Sequence, residues 1–303
     1  MRAATLLHRD CLVGANPIIW SNDDFNELAG DVPLGTILHE MRAAGFSGSE
    51  LGHAYPRTPG ALADALGRHH LRLVSGWHST FLATRGIDEE EKNFRAHLNL
   101  LKSLGARVAI VAECSHCIHG TREASLGFGV SDRRTLDPTE WSRLVAGLEH
   151  LCFVATTEEM RVVYHHHMGT VIQTEAELDR LLAEVPTLGL LLDPGHLAFA
   201  GIDPVAVVKR YSARIAHVHL KSVRPSIAEQ VRREGWSFYR AVAEGIFTIP
   251  GDGSVDFPAI FRVLAAADYR GWLVVEAEED PVKVPALPKA MNAREYVRAH
   301  TGV

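Results

Sequence analysis

The stretch GLLLDPGH (Gly189–His196) decides how the chain is read. A glycine opens three leucines in a row, a run long enough for a strand buried on both faces and too short for a helix. The run stops at Asp193, and Pro194-Gly195 turn the chain away. Two later runs end in the same manner, HVHLK (His217–Lys221) and WLVVEAE (Trp272–Glu278). An apolar strand that finishes on an acid or an imidazole carries a group that is costly to bury unless paired or bound to a metal. Parallel strands of a barrel deliver such tips to one mouth.

Outward from these three runs the pattern repeats. Strands are expected at Cys11–Ala15, Gly48–Leu51, Leu71–Gly76, Arg107–Ala112, Arg161–His165, Gly189–Leu192, Arg214–Leu220 and Trp272–Glu276. Segments with a helical apolar period lie between them, among them Leu34–Ala44, Glu89–Leu104, Pro138–Thr157 and Phe257–Ala267. Asp137-Pro138 and Asp203-Pro204 read as helix starts, and Gly45 and Gly105 as stops. Strand and helix in alternation predict an α/β fold, a (β/α)8 TIM barrel forming a single domain over 1–303. The long stretch 222–253, with a short helix near Trp236–Ala243, is an insertion between strands seven and eight, over the C-terminal mouth. A doubly wound sheet would need a glycine-rich phosphate turn after its first strand, and Ala15-Asn16-Pro17-Ile18 is not one.

Composition narrows the class. Of 303 residues 47% are hydrophobic and 22% charged, enough apolar material for a large core. The net charge of -6 argues against a nucleic-acid partner. Residues 1–20 lack a signal-peptide pattern and no apolar run approaches a membrane span, so a cytoplasmic protein with no membrane partner and reduced cysteines is expected. Cys114-Ser115-His116-Cys117 is a CxxC motif beside a histidine. A structural zinc site needs four ligands, and Cys11 and Cys152 are not spaced to complete one.

Polar residues at the strand ends form the informative set. In order they are Asn16 and Trp20, Glu50, His78, Glu113, His165 to His167, Asp193 and His196, then His217, His219 and Lys221, and finally Glu276 and Glu278. Seven of the seventeen histidines are among them, so their address matters more than their number. His217, His219 and Lys221 alternate with apolar residues and share one face, as do Glu276 and Glu278. A mixed Asp/His/Glu set without sulfur suits a divalent ion such as Mn²⁺ or Co²⁺. Glu279 and Asp280 read as a solvated acidic tail.

With these motifs on the page, the chain resembles a family. DPGH (Asp193–His196), HVHLK, PGDG (Pro250–Gly253) and VVEAEED (Val274–Asp280) are similar to motifs of the xylose-isomerase-like TIM barrels. WSNDDFNELAGDVPL (Trp20–Leu34), GSELG (Gly48–Gly52), LVSGW (Leu73–Trp77) and YHHHMGT (Tyr164–Thr170) resemble, more narrowly, the inosose dehydratases. The likeness implies a metal held by Asp193, His219, Glu276 and a fourth ligand. The family's usual glutamate falls on His165, which leaves His165, His167 or Gln173 for that place. It also implies loss of water from 2-keto-myo-inositol or a related cyclic polyol ketone. Under that reading His167, Glu50, Glu278 and Lys221 are the expected catalytic groups, and His196, Trp20, Asn22, His78 and Glu113 contact the substrate. A sugar or inosose isomerase or epimerase is the competing reading. A multi-metal phosphodiesterase is disfavoured by the charge, and a homo-oligomer is expected by analogy only.

Overall fold

Among the described residues, eleven β segments and eleven α-helices follow one another along the chain. The computed structural model of the chain describes residues 5–25, 27–28, 31–126 and 132–303. Positions 26, 29 and 30 of the Trp20–Leu34 motif fall outside them. The strands are β1 (Leu12–Ala15), β2 (Gly48–Ser49), β3 (Arg72–Leu73), β4 (Trp77–Thr80), β5 (Val108–Glu113), β6 (Arg161–His165), β7 (Gly189–Leu192), β8 (Ile215–Leu220), β9 (Ser222–Val223), β10 (Phe247–Thr248) and β11 (Trp272–Val275). The helices are α1 (Leu34–Ala43), α2 (Pro59–Arg68), α3 (Ile87–Ser103), α4 (Pro138–Thr157), α5 (Glu175–Glu184), α6 (Pro194–Phe199), α7 (Pro204–Tyr211), α8 (Pro225–Glu234), α9 (Phe238–Ala243), α10 (Phe257–Ala266) and α11 (Ala286–Thr301).

Nine of the strands form one parallel sheet in the order β3-β2-β1-β11-β8-β7-β6-β5-β4. Its two end segments, β3 and β4, are consecutive in the chain and are joined by residues 74–76 alone. The expected third strand is thus one stretch in two pieces, the first paired with β2 and the second with β5. Val74 N donates to Ser49 O at 2.9 Å and Leu51 N to Ser75 O at 3.0 Å, carrying the pairing across the break. Through this stretch the sheet closes on itself as a TIM barrel.

Alternation along each strand builds two apolar layers. Val111, Val162, Tyr164, Leu190, Leu192, Val218, Leu220, Leu273 and Val275 face the helices and merge with them into the main core. Ile110, Val163 and Leu191 take the opposite parity and form a small separate cluster inside the barrel. Residues sharing that inner parity further along the strands point into the mouth. Helix α4 is held at its start by a reciprocal cap, with Asp137 accepting from Thr139 N and Glu140 N while Glu140 accepts from Asp137 N.

Residues 222–253 form a two-stranded antiparallel ribbon, β9 with β10, and carry two helices, α8 and α9, where one was expected. Their apolar residues, including Phe238, Ile246 and Phe247, pack with Phe25, Met168 and Phe199 as a second core over the late strands. The acidic tail is also corrected. Glu279 is buried and pairs with Arg224 and Lys289, while Arg224 reaches Asp252 of the Pro250–Gly253 turn at 2.7 Å. Among the described residues, no helix is long and apolar enough to cross a membrane.

Candidate active site

Four neighbouring strands each deliver one metal-ligating side chain to the mouth. His165 ends β6, Asp193 follows β7, His219 lies in β8 and Glu276 follows β11. One ligand atom from each lies within 4.8 Å of all the others, and all four residues are buried. The backbone turn after β7 makes Asp193 a cap with one oxygen still turned toward the mouth. Its Oδ1 accepts His196 N at 3.0 Å at the start of α6, leaving Oδ2 free. None of Asp193 Oδ2, His219 Nδ1 and Glu276 Oε2 makes a regular hydrogen bond: His219 Nδ1 abuts Glu276 Oε2 and lies 3.5 Å from Asp193 Oδ2, which Lys221 Nζ approaches at 3.4 Å. Two carboxylate oxygens crowded on one imidazole nitrogen in a buried space form a group that a bound cation would satisfy.

Neighbouring groups set the direction of each ligand. His165 Nδ1 is 2.8 Å from His166 O, so this nitrogen donates there, and Nε2 lies 3.5 Å from Asp193 Oδ2. Glu50 Oε1 sits 2.6 Å from His217 Nε2 and 3.2 Å from His219 Nε2, and Oε2 accepts from Asn16 Nδ2 at 2.8 Å. Held by Nε2, His219 turns Nδ1 toward Asp193 and Glu276, the arrangement by which carboxylates orient metal-binding histidines. Burial alone would raise the Glu50 carboxyl, yet the His219 and His217 imidazoles hold it well below the usual range. Of the three residues considered for the fourth place, His165 lies with the other three and His167 with His196 and Glu278. Gln173 is spent, its Oε1 accepting Gly169 N at 2.7 Å and its Nε2 donating to Leu126 O at 3.2 Å.

Beside these four lies a second polar group. Lys221 is fully buried, with Nζ 2.5 Å from Glu278, 2.9 Å from Glu276, 3.4 Å from Asp193 and 3.0 Å from His196 Nε2. Although burial opposes its charge, the three carboxylates hold it protonated, well above its ordinary value. Burial pushes Glu278 up to about 7 in spite of Lys221. His196 and His167 are held neutral, first by burial and then by the cationic groups around them. His167 Nδ1 lies 2.8 Å from Met168 O, which leaves the lone pair on Nε2. The insertion roofs this group, with Phe247 4.7 Å from the His196 ring and Phe238 5.2 Å from that of His167.

A cavity of about 290 Å³ opens above both groups. It is lined by His165, His167, His219, Glu276, Glu278 and Glu50 from the expected set. It also takes Asn16, Asp23, His53, Arg57, Trp77, Ser79 and His119. Of these only Asn16 stood in the strand-end set of the sequence.

Four expected substrate contacts are corrected. Trp20 is in the main core, its indole donating to Glu40 at 2.7 Å. Asn22 is buried and caps a turn, accepting from Asp24 N and Phe25 N at 2.9 and 2.8 Å. His78 takes the outer parity of β4 and stacks on His97 at 5.1 Å, while its neighbours Trp77 and Ser79 line the cavity. Glu113, on the outer parity of β5, accepts from Thr80 Oγ1, Leu82 N and Ala83 N and ties down the loop after β4.

The barrel and its mouth define a class of protein, and comparison with known proteins agrees. The family model of xylose isomerase-like TIM barrels matches residues 27–300. A xylose isomerase-like TIM barrel protein from Mycobacterium smegmatis, in complex with magnesium, has a TM-score of 0.69 at 17% identity over 96% of each chain, a likeness of fold. The inosose dehydratases of Clostridium botulinum (strain Eklund 17B / Type B) and Geobacillus thermodenitrificans (strain NG80-2) are 41% and 42% identical to it, covering 96% of this chain and 97% of theirs. The chain belongs to the inosose dehydratase family of the xylose isomerase-like TIM barrels.

Proposed function

We propose that the chain is a metal-dependent hydro-lyase that removes water from 2-keto-myo-inositol or a closely related cyclic polyol ketone. The observation that carries this reading is the convergence of Asp193 Oδ2, His219 Nδ1 and Glu276 Oε2 in one buried group at the mouth of a barrel of this family. With His165 Nε2 they offer two imidazole nitrogens and two carboxylate oxygens, a donor set that suits Mn²⁺ or Co²⁺. When bound there, a divalent cation supplies Lewis-acid stabilisation for the negative charge that builds on a ketone oxygen as the neighbouring C–H is deprotonated.

The remaining steps belong to the side chains. His167 takes the carbon-bound proton, because its Nδ1 is engaged by the Met168 carbonyl and the ring lines the cavity with Nε2 free. Glu278 also lines the cavity and is joined to Lys221 at 2.5 Å; this pair delivers a proton to the departing β-hydroxyl. Glu50 is a positioning residue, acting through His219 and His217. The Phe238 and Phe247 roof excludes water from Lys221, His196 and His167, which strengthens every charge interaction beneath it. A polyol ring with its hydroxyls exposed all round meets polar partners at the rim in Asn16, Asp23, His53 and Arg57.

The test is a product assay. Incubation with the inosose and Mn²⁺ is expected to yield one product lighter by one water, read by mass spectrometry, and His219→Ala is expected to lose at least about a hundredfold in rate, the scale of removing an electrostatic stabiliser. Consumption of substrate at unchanged mass would instead identify an isomerase or epimerase and overturn the dehydratase reading.

A further inference from the structure

The CxxC motif takes no part in that chemistry, yet it stands two residues before His119, which lines the same cavity. Cys114 is buried directly after β5, and Cys117 is half-buried. Ser115 and His116 form the turn between them, with Cys117 N donating to Cys114 O at 3.2 Å and His116 in the left-handed region at φ 58°. A turn closed by that hydrogen bond brings its first and fourth Cα atoms within about 7 Å. A disulfide spans roughly 4.4–6.8 Å between Cα atoms, so the turn already holds the two cysteines at a bridgeable separation. It is anchored from outside, with Ser115 N donating to Glu113 at 3.2 Å and Ser115 Oγ bonded to Thr84 Oγ1 at 2.9 Å.

The two thiols are unequal. The Cys114 thiol donates to Ala112 O at 3.6 Å; the neighbouring Cys114 thiol and His119 hold Cys117 down at about 4, while Cys117 and burial hold Cys114 well above its ordinary value. Cys11 and Cys152 are buried elsewhere and pushed up to about 11. Past the turn the chain enters the site. Ile118 N donates to Gly169 O at 2.7 Å, and the His119 ring lines the cavity 5.2 Å from that of His167. A Cβ on Gly169 would lie 2.9 Å from His119 N, so the two loops have no slack between them.

We propose that Cys114 and Cys117 are a redox-active dithiol, with Cys117 reacting first, whose closure to a disulfide displaces His119 at the cavity rim. The oxidant is a peroxide. The Cys117 thiolate attacks one oxygen of hydrogen peroxide, the O–O bond breaks, and a sulfenic acid forms while the other oxygen leaves as water after taking a proton. The Cys114 thiol attacks that sulfur, an S–S bond forms, and a second water departs with the thiol proton. Two thiols lose two electrons and the peroxide gains them.

The thiol reactions of the intact chain test this directly. A brief pulse of iodoacetamide at mildly acidic pH is expected to label Cys117 at least about tenfold faster than Cys11 or Cys152, because only a thiolate reacts. Peroxide is expected to give a peptide with Cys114 joined to Cys117, lighter by two hydrogens and restored by dithiothreitol. Cys114→Ser is expected to stop at a Cys117 sulfenic acid that dimedone traps, and Cys117→Ser to abolish both labelling and bridge. Equal labelling of Cys117, Cys11 and Cys152, or peroxide oxidation that never joins Cys114 to Cys117, overturns the proposal. An activity arm rests on the dehydratase reading: the oxidised protein is expected to show a changed KM for the inosose that dithiothreitol reverses. An unchanged KM in a fully bridged protein overturns the displacement of His119, whereas a chain inactive on inosose leaves the thiol arms readable.

Discussion

Asp193 divides its oxygens between structure and chemistry, one capping α6 and the other left bare toward His165 and His219. Such residues were legible in the sequence because a charged or imidazole group ending an apolar strand has no structural use that composition can supply. Glu50 was legible as a site residue but not as a support, since nothing in GSELG shows that His217 and His219, far along the chain, meet its carboxylate. His78 shows the opposite error, a strand-end imidazole that belongs to the layer between sheet and helices. Burial holds His78 at about 4 and, together with His78 itself, His97 at about 3, both below the usual histidine value of 6.5. A base whose folded pKa is depressed favours its neutral form. Its contribution to stability is therefore whole above about 6.5 and is lost as pH falls from there toward about 4. His78→Phe is expected to flatten the fall of Tm across that window and to leave KM for the substrate unchanged. Thermal melts across the pH series and steady-state kinetics check both, and a raised KM would return His78 to the cavity.

At the scale of elements, the late strands are legible because each keeps one parity over the residues that lead to the mouth, even though β8 shifts register against β7 lower down. Leu191 and Asp193, Val163 and His165, and His217, His219 and Lys221 each run unbroken. The third strand breaks between β3 and β4, where Gly76 sits so close to Leu51 that a Cβ would lie 2.8 Å from its Cδ1. Residues that turn this corner do not inherit the parity counted from Leu71, and so Trp77 and Ser79 face the cavity where the sequence points to His78. The junction of β7 with α6 depends on a similar close approach. A Cβ on Gly195 would lie 2.7 Å from Lys221 Cγ and 3.0 Å from Lys221 O, in a place where Lys221 is fully enclosed. Gly195→Ala is expected to destabilise by about 1–3 kcal/mol, the ordinary cost of overpacking, and to lower kcat by about tenfold or more as Lys221 leaves Glu278. Gly35→Ala, with no atom within 4 Å of the new methyl, serves as the control and is expected to leave kcat unchanged. Melting curves and kinetics on the two variants decide between a local and a general effect.

For the molecule as a whole, the barrel makes the site a joint between strands. β11, β8, β7 and β6 are consecutive neighbours in the sheet, and each carries one of the four donors. Asp193, Glu276 and Glu278 crowd round Lys221, and the His219 imidazole, pushed against its burial well above the ordinary histidine value by Glu276 and Glu50, carries a second positive charge there. A cation bound there would tie four staves together in place of the His219 proton, and the unfolded chain has no such site. Binding to the folded state alone stabilises it by about 2.7 kcal/mol when the ion is at a hundred times its Kd. For a chain of 303 residues that corresponds to a rise in Tm of roughly 4 °C. Treatment with a chelator is expected to lower Tm by that amount and Mn²⁺ to restore it. Asp193→Asn is expected to abolish the Mn²⁺-dependent rise, because an amide keeps the cap on α6 in reach but gives up the charge that Oδ2 presents. Scanning calorimetry with and without the ion reads the result independently of any substrate. A melting temperature indifferent to Mn²⁺ and to Co²⁺ in the unaltered protein would mean that the four convergent donors do not hold a metal.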